Sequence, residues 1–169
     1  MRQCVRVNII TVLSFLPFCA SIAQAQQVNK GMIDGSVTPE LIPDNIAFMA
    51  VLRAIAEPPS ASLAKRKRME AKLRAIGLKE EDIVAARPIL TGFHDAMAQL
   101  DTDIGRLQAS SGDTSVDELT EQYSLLTARR SKIRDSVRHA LQQELSSQGM
   151  TLLRLFIKRA KTHMKYIPE

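Results

Sequence analysis

The chain predicts an all-α fold: a long antiparallel helical hairpin with flanking shorter helices and an irregular N-terminal arm. Three observations carry the prediction. Apolar residues recur at alternating three- and four-residue spacing through 83–107 and again through 116–145. A glycine-bearing turn separates the two stretches, and no stretch of useful length shows the strict alternation of a half-buried strand. Self-similarity at the periods of solenoid repeats is also absent from the sequence.

The first element reads as an export leader. Arg2 and Arg6 precede an apolar run from Val7 to Phe18, and Ala23-Gln24-Ala25 has the small-x-small form of a cleavage site. The run is interrupted by Pro17 and falls short of the roughly 20 apolar residues that span a bilayer. A cleaved signal peptide over 1–25, with the mature chain starting at Gln26, places the protein in the periplasm or outside the cell. Lipidation at Cys19 would require a small residue before it, and Phe18 is large. Cleavage after Ala25 removes both Cys4 and Cys19, the chain's 2 cysteines, so neither disulfides nor thiol chemistry are expected in the mature protein.

Residues 26–42 contain Gly31, Gly35 and Pro39 without a sustained period, and predict an irregular arm; residues 43–169 predict a single all-helical domain. Asp44 is placed to cap a first helix in which Ile46, Met49, Leu52 and Ile55 recur, and Pro58-Pro59 ends it. Ser60 or Ser62 can cap a second, basic helix with Leu63, Met69, Leu73 and Ile76 on one side, stopped by Gly77.

The third helix starts near Lys79, where Glu80, Glu81 and Asp82 suit the positive end of the helix dipole. Ile83, Leu90, Met97 and Ile104 are seven residues apart, with Ala86, Phe93, Leu100 and Leu107 between them, the spacing of a packed helical seam. Pro88 is expected to bend this helix near its start. After the turn at 109–114, Ser115 and Glu118 match a capping box, and Val116, Leu119, Tyr123, Leu126, Ile133 and Val137 continue the stripe toward Leu141 and Leu145. Ser146 can cap a fifth helix whose Leu153, Phe156, Ile157, Ala160 and Met164 share a face.

Composition narrows the function. Loss of Arg2 and Arg6 leaves 21 basic residues against 18 acidic ones, a mature charge of +3. Export, and helices too poor in aromatic residues to stack bases, argue against nucleic acid. There is no Gly-x-Ser-x-Gly elbow, glycine-rich phosphate loop or carboxylate pair in an apolar setting, so the expectation is no enzyme, no cofactor and no metal. His94, His139 and His163 are not spaced with other ligands; Asp135 and His139, one helical turn apart, leave a weak metal-responsive sensor as a secondary alternative.

Charge is unevenly spread. Residues 60–76 carry six basic and one acidic side chain, 150–169 five basic and one acidic, and 77–122 ten acidic and three basic. These segments read either as solvated faces attracting one another across a bundle or as a basic surface for anionic headgroups or an acidic client. The methionines read first as flexible gap-fillers, or as a client-binding surface if several line one exposed concave face.

The order of third helix, turn, fourth helix, a Leu-Ser-x-x-Gly break at 145–149 and a basic terminal helix is similar to that of the Spy and CpxP type periplasmic proteins. Their Leu-Thr-x-x-Gln signature would correspond to Leu78-Lys79-Glu80-Glu81-Asp82 and Leu145-Ser146-Ser147-Gln148-Gly149, both lacking its threonine and glutamine. That resemblance, over 60–165, implies a helical, often dimeric cradle involved in chaperoning or envelope-stress sensing. Asp34-Gly35-Ser36-Val37-Thr38-Pro39-Glu40-Leu41-Ile42-Pro43-Asp44 also resembles the opening of a family of uncharacterised exported bacterial helical proteins. Physically, it predicts an arm whose Leu41 and Ile42 pack back on the hairpin.

The expectation is therefore an exported non-enzymatic binding protein, with chaperone-like or stress-sensor-like association through an amphipathic helical face. Phe93, Met97, Leu126 and Phe156 are the candidate apolar contacts, and Lys65, Arg66, Lys67 and Arg68 the attracting charges. The expected partners are other envelope proteins or unfolded clients, an anionic membrane surface, or a second copy in a homodimer. A structural envelope component is the alternative.

Overall fold

Cap chemistry sets where most of the helices begin and end. The structure is a computed structural model that describes residues 31–110, 112 and 115–168; the expected leader, both cysteines, the first residues of the arm and most of the turn at 111–114 lie outside the described residues. Helix α1 spans Asp44–Ile55, α2 Leu63–Ile76, α3 Glu80–Ser110, α4 Val116–Glu144 and α5 Ser147–Ala160. Ser62, Ser115 and Ser146 each accept a hydrogen bond from the backbone N–H three residues on. Gly77 closes α2 at φ 97°, a backbone conformation that costs a residue with a Cβ.

The 31 residues of α3 and 29 of α4 pack antiparallel, each on the order of 45 Å long. Their seam is the predicted one on the α3 side: Ile83, Ala86, Leu90, Phe93, Met97, Leu100 and Leu107 are all buried, and Ile104 is partly so. Pro88 lies inside α3, and the helix runs through it. On α4 only Val137 and Leu141 are buried. Val116 and Tyr123, expected in the seam, are exposed, because the far half of the hairpin lies beyond the shorter helices that complete the core.

The near half is covered. α1 packs on α2, α3 and α5, and α2 packs on α3 and α5. Of the expected α1 stripe, Leu52 and Ile55 are buried and Met49 packs partly buried on the core, but the inward face is centred further round, on Ala47, Phe48 and Val51, and Ile46 sits at the surface. Phe48 has more apolar area to hide than Ile46 or Met49, and with Leu52 and Ile55 it defines the winning stripe. Leu63, expected on the inner side of α2, is exposed.

From residue 31 onward the arm is largely irregular, as expected, with one two-residue strand and one 3-10 turn, and it belongs to the same compact unit as the helices. Strand β1, Ile33–Asp34, pairs antiparallel with β2, Lys165–Tyr166, and a 3-10 turn at Pro39–Leu41 packs on a second one at Lys161–His163. Gly35 donates its N–H to the carbonyl of Met164 at 2.8 Å, and its Cα lies so close to the Lys161 carbonyl that a Cβ would overlap it. Ile42 packs back as expected and is fully buried, but Leu41 points to solvent. Asp44 is the first residue of α1, after Pro43, and its side chain pairs with Lys161 instead of capping the helix.

Candidate functional site

Helix α5 is amphipathic and its two faces have different work. Gly149, Met150, Leu153 and Ile157 point into the core. Arg154, Leu155, Lys158 and Arg159 face a groove closed on its other sides by Arg138 and Gln142 of α4, Asp44 and Phe48 of α1, and Pro39 and Glu40 of the 3-10 turn before it. The groove encloses about 1020 Å³ and is open to solvent.

The start of α5 is fixed from below. Asp82, buried in the first turn of α3, accepts from the Ser146 N–H at 2.7 Å and from the Ser146 hydroxyl at 2.9 Å. Segments 78–82 and 145–149 thus meet through Asp82 and Ser146, with Gly149 packed on the same carboxylate. This contact joins α5 to the base of the hairpin and so sets the direction in which its cationic face points.

Charge in the groove is unbalanced. Lys161, nearly buried, reaches Asp44 at 2.5 Å and holds that carboxyl below the usual carboxylate range; the more distant cations of Arg138 and Lys158 act in the same direction. With this pair set aside, Arg138, Arg154, Lys158 and Arg159 have no ion-pair partner among the described residues, and Glu40 is the one remaining carboxylate in the lining. The Arg138 guanidinium lies over the Phe48 ring, 5.0 Å from its centroid, a cation–π contact worth about 0.5–1 kcal/mol at an exposed site. Leu155, 55% exposed, supplies apolar surface between the cations, above a floor formed by the buried Phe48, Met150 and Ile157.

The residues chosen from sequence do not form one face. Phe93 and Met97 are buried in the α3 seam and offer no contact surface, because their heptad positions bury them against the other helices. Leu126 and Phe156 are partly buried and packed against the core, on α4 and α5 respectively. Lys65, Arg66, Lys67 and Arg68 are exposed on α2 and have no ion pair among the described residues. Attraction across the bundle is carried by other groups: Arg74 binds Glu80, Arg87 binds Glu70, Arg53 binds Asp101 and Arg129 binds Asp103.

Of the methionines among the described residues, only Met150 lines the groove; Met69 and Met97 fill the core, and Met32 is exposed. Asp135 is engaged by Arg134 at 2.8 and 3.0 Å, which lowers its carboxyl below the usual range, and no group of three or more metal-ligating side chains exists among the described residues. No helix among the described residues is long and apolar enough to cross a membrane.

The groove escaped the sequence reading because it is assembled from four separated segments. The excess of cations after residue 150 is visible in the sequence; that Arg154 and Lys158, one turn apart, line the same groove as Leu155 and Phe48 depends on tertiary packing. No family model, curated protein or solved structure matches the chain.

Proposed function

We propose that the protein is an exported, non-enzymatic binder that holds amphipathic, acidic segments of other proteins in the groove over α5, in the manner of a chaperone or stress sensor. The observation that supports this most strongly is the combination of an apolar floor with four cations lacking ion partners among the described residues, open to solvent. Such a surface attracts at long range by charge and retains by apolar contact. Among the described residues the groove lining contains no histidine, cysteine or serine, and its two carboxylates, Glu40 and Asp44, include one already committed to Lys161. The leader-like pattern at Arg2, Arg6, 7–18 and 23–25 supports action outside the cytoplasm.

Aggregation of an unfolding client, followed by light scattering with the purified protein at near-equal ratio, tests the reading. Suppression is expected at low salt, and Arg154→Glu with Lys158→Glu is expected to abolish it while helical circular dichroism is unchanged. Equal protection by the charge-reversed protein would rule out the groove as the binding surface.

A further inference from the structure

We infer that the groove of one molecule receives the N-terminal end of α4 from a second copy, so that the chain assembles head to tail. The inference rests on the reading of the groove as a protein-binding surface and names its partner. The far half of the hairpin supplies what the groove lacks. Residues 116–125 of α4 carry Asp117, Glu118 and Glu121 and no cation, and none of these carboxylates is in an ion pair among the described residues. Asp117, Glu121 and Leu125 recur one turn apart and are all exposed, Leu125 at 63%, and Val116 beside them is 78% exposed.

This acidic and apolar stripe is complementary to the arginine, lysine and leucine stripe of the groove, yet the two belong to the same straight helix system and cannot meet within one molecule. Asp117 and Arg138 are both on α4, and 21 residues of helix place them on the order of 30 Å apart. The patches therefore meet only between molecules. A contact between two different patches is heterologous: each added copy presents a fresh groove at one end and a fresh tip at the other, so association proceeds to open chains or closed rings rather than stopping at a two-fold dimer. A helix with its side chains is about 10–12 Å wide, and three turns of α4 laid along α5 would bring Asp117 and Glu121 to Arg154 and Lys158, with Leu125 on the apolar floor.

Sedimentation velocity of the purified protein tests this at ionic strengths of about 0.01 M and about 1 M, where charges are screened over about 30 Å and about 3 Å. The expected result is a weight-average mass at least roughly twofold above the monomer at low salt, growing with concentration, and a monomer at high salt. The groove variant Arg154→Glu with Lys158→Glu and the tip variant Asp117→Asn with Glu121→Gln are each expected to remain monomeric. Mixed together they are expected to form a dimer that grows no further, since one intact groove and one intact tip remain. Leu125→Lys, which leaves the first turn of α4 untouched, is expected to weaken assembly in the same way. A monomer at all salts, or a dimer that survives both sets of substitutions, overturns the inference. So does a groove that binds phosphatidylglycerol vesicles while the protein stays monomeric. If the groove variant loses client protection while the unmodified protein is monomeric throughout, the binding reading stands and the head-to-tail contact falls.

Discussion

The Asp82 carboxylate grips Ser146 at both of its donors, the backbone N–H at 2.7 Å and the hydroxyl at 2.9 Å, across 64 residues of sequence. The Ser146 oxygen then accepts the Gly149 N–H at 3.0 Å, so one buried side chain orders the first turn of α5. Asp82→Ala is expected to cost about 2–3 kcal/mol, since it leaves two partly buried donors without acceptors. Asp82→Asn keeps one acceptor oxygen and is expected to cost less, about 1–2 kcal/mol. Urea unfolding with an unchanged slope and a lowered midpoint is the measurement; a midpoint unmoved in Asp82→Ala would show that the contact contributes nothing.

Gly149 has no room for a side chain: a Cβ there would stand 2.4 Å from Asp82 Oδ2 and 2.7 Å from its Cγ. Gly149→Ala, which on propensity alone should favour the helix by about 1 kcal/mol, is instead expected to destabilise by about 1–3 kcal/mol because the carboxylate must move off Ser146. The effect should depend on the carboxylate. In Asp82→Ala the obstruction is gone, and adding Gly149→Ala is expected to be neutral or stabilising, a coupling that a double-mutant cycle reads directly.

What the sequence discloses follows the range of the interaction. Ser62, Ser115, Ser146 and Gly77 terminate helices through groups within three or four residues; the last three were legible outright, and Ser62 as one of two neighbouring serines. The α3 heptads were legible because seven-residue spacing along 25 residues admits one buried face. The pairing of Ile33–Asp34 with Lys165–Tyr166 is only two residues long and joins opposite ends of the described residues, so no local period announces it. Asp82 shows the same limit. Among Glu80, Glu81 and Asp82 it is one of three acids at a helix start, and only packing selects it for burial against Ser146.

Gly35 closes the two ends of the described chain, donating to Met164 and lying where a Cβ would be 1.8 Å from the Lys161 carbonyl oxygen. Gly35→Ala is expected to part β1 from β2 and cost about 3 kcal/mol, at the upper end for overpacking. Hydrogen exchange distinguishes a local from a global effect. Protection at the Gly35 and Met164 amides should fall to near that of a free chain, while amides along the α3 seam change only by the loss of overall stability.

The Asp44–Lys161 pair gives the fold a dependence on acid with a definite sign. Lys161 lowers the Asp44 carboxyl below its ordinary value of 3.8, so the native state binds the proton more weakly than the unfolded chain does. The stabilisation is complete above the unfolded value and is lost as pH falls through the lower, folded one. Asp44→Asn removes it at every pH and leaves the Lys161 ammonium, whose side chain is 9% exposed, without its counter-ion. The variant is therefore expected to be less stable than the parent near neutrality by a constant amount, with the gap shrinking below about pH 4 and closing once Asp44 is protonated in the folded parent. Asp34 and Asp135, both also lowered, keep the parent's remaining acid sensitivity in place. Lys161→Met, which fills the same buried space without the charge, should erase the Asp44-dependent part of the acid limb. Thermal melts of parent, single and double variants between about pH 2 and pH 7 follow both effects, and a stability gap between the parent and Asp44→Asn that widens on acidification would show that the pair does not act as a stabilising ion pair.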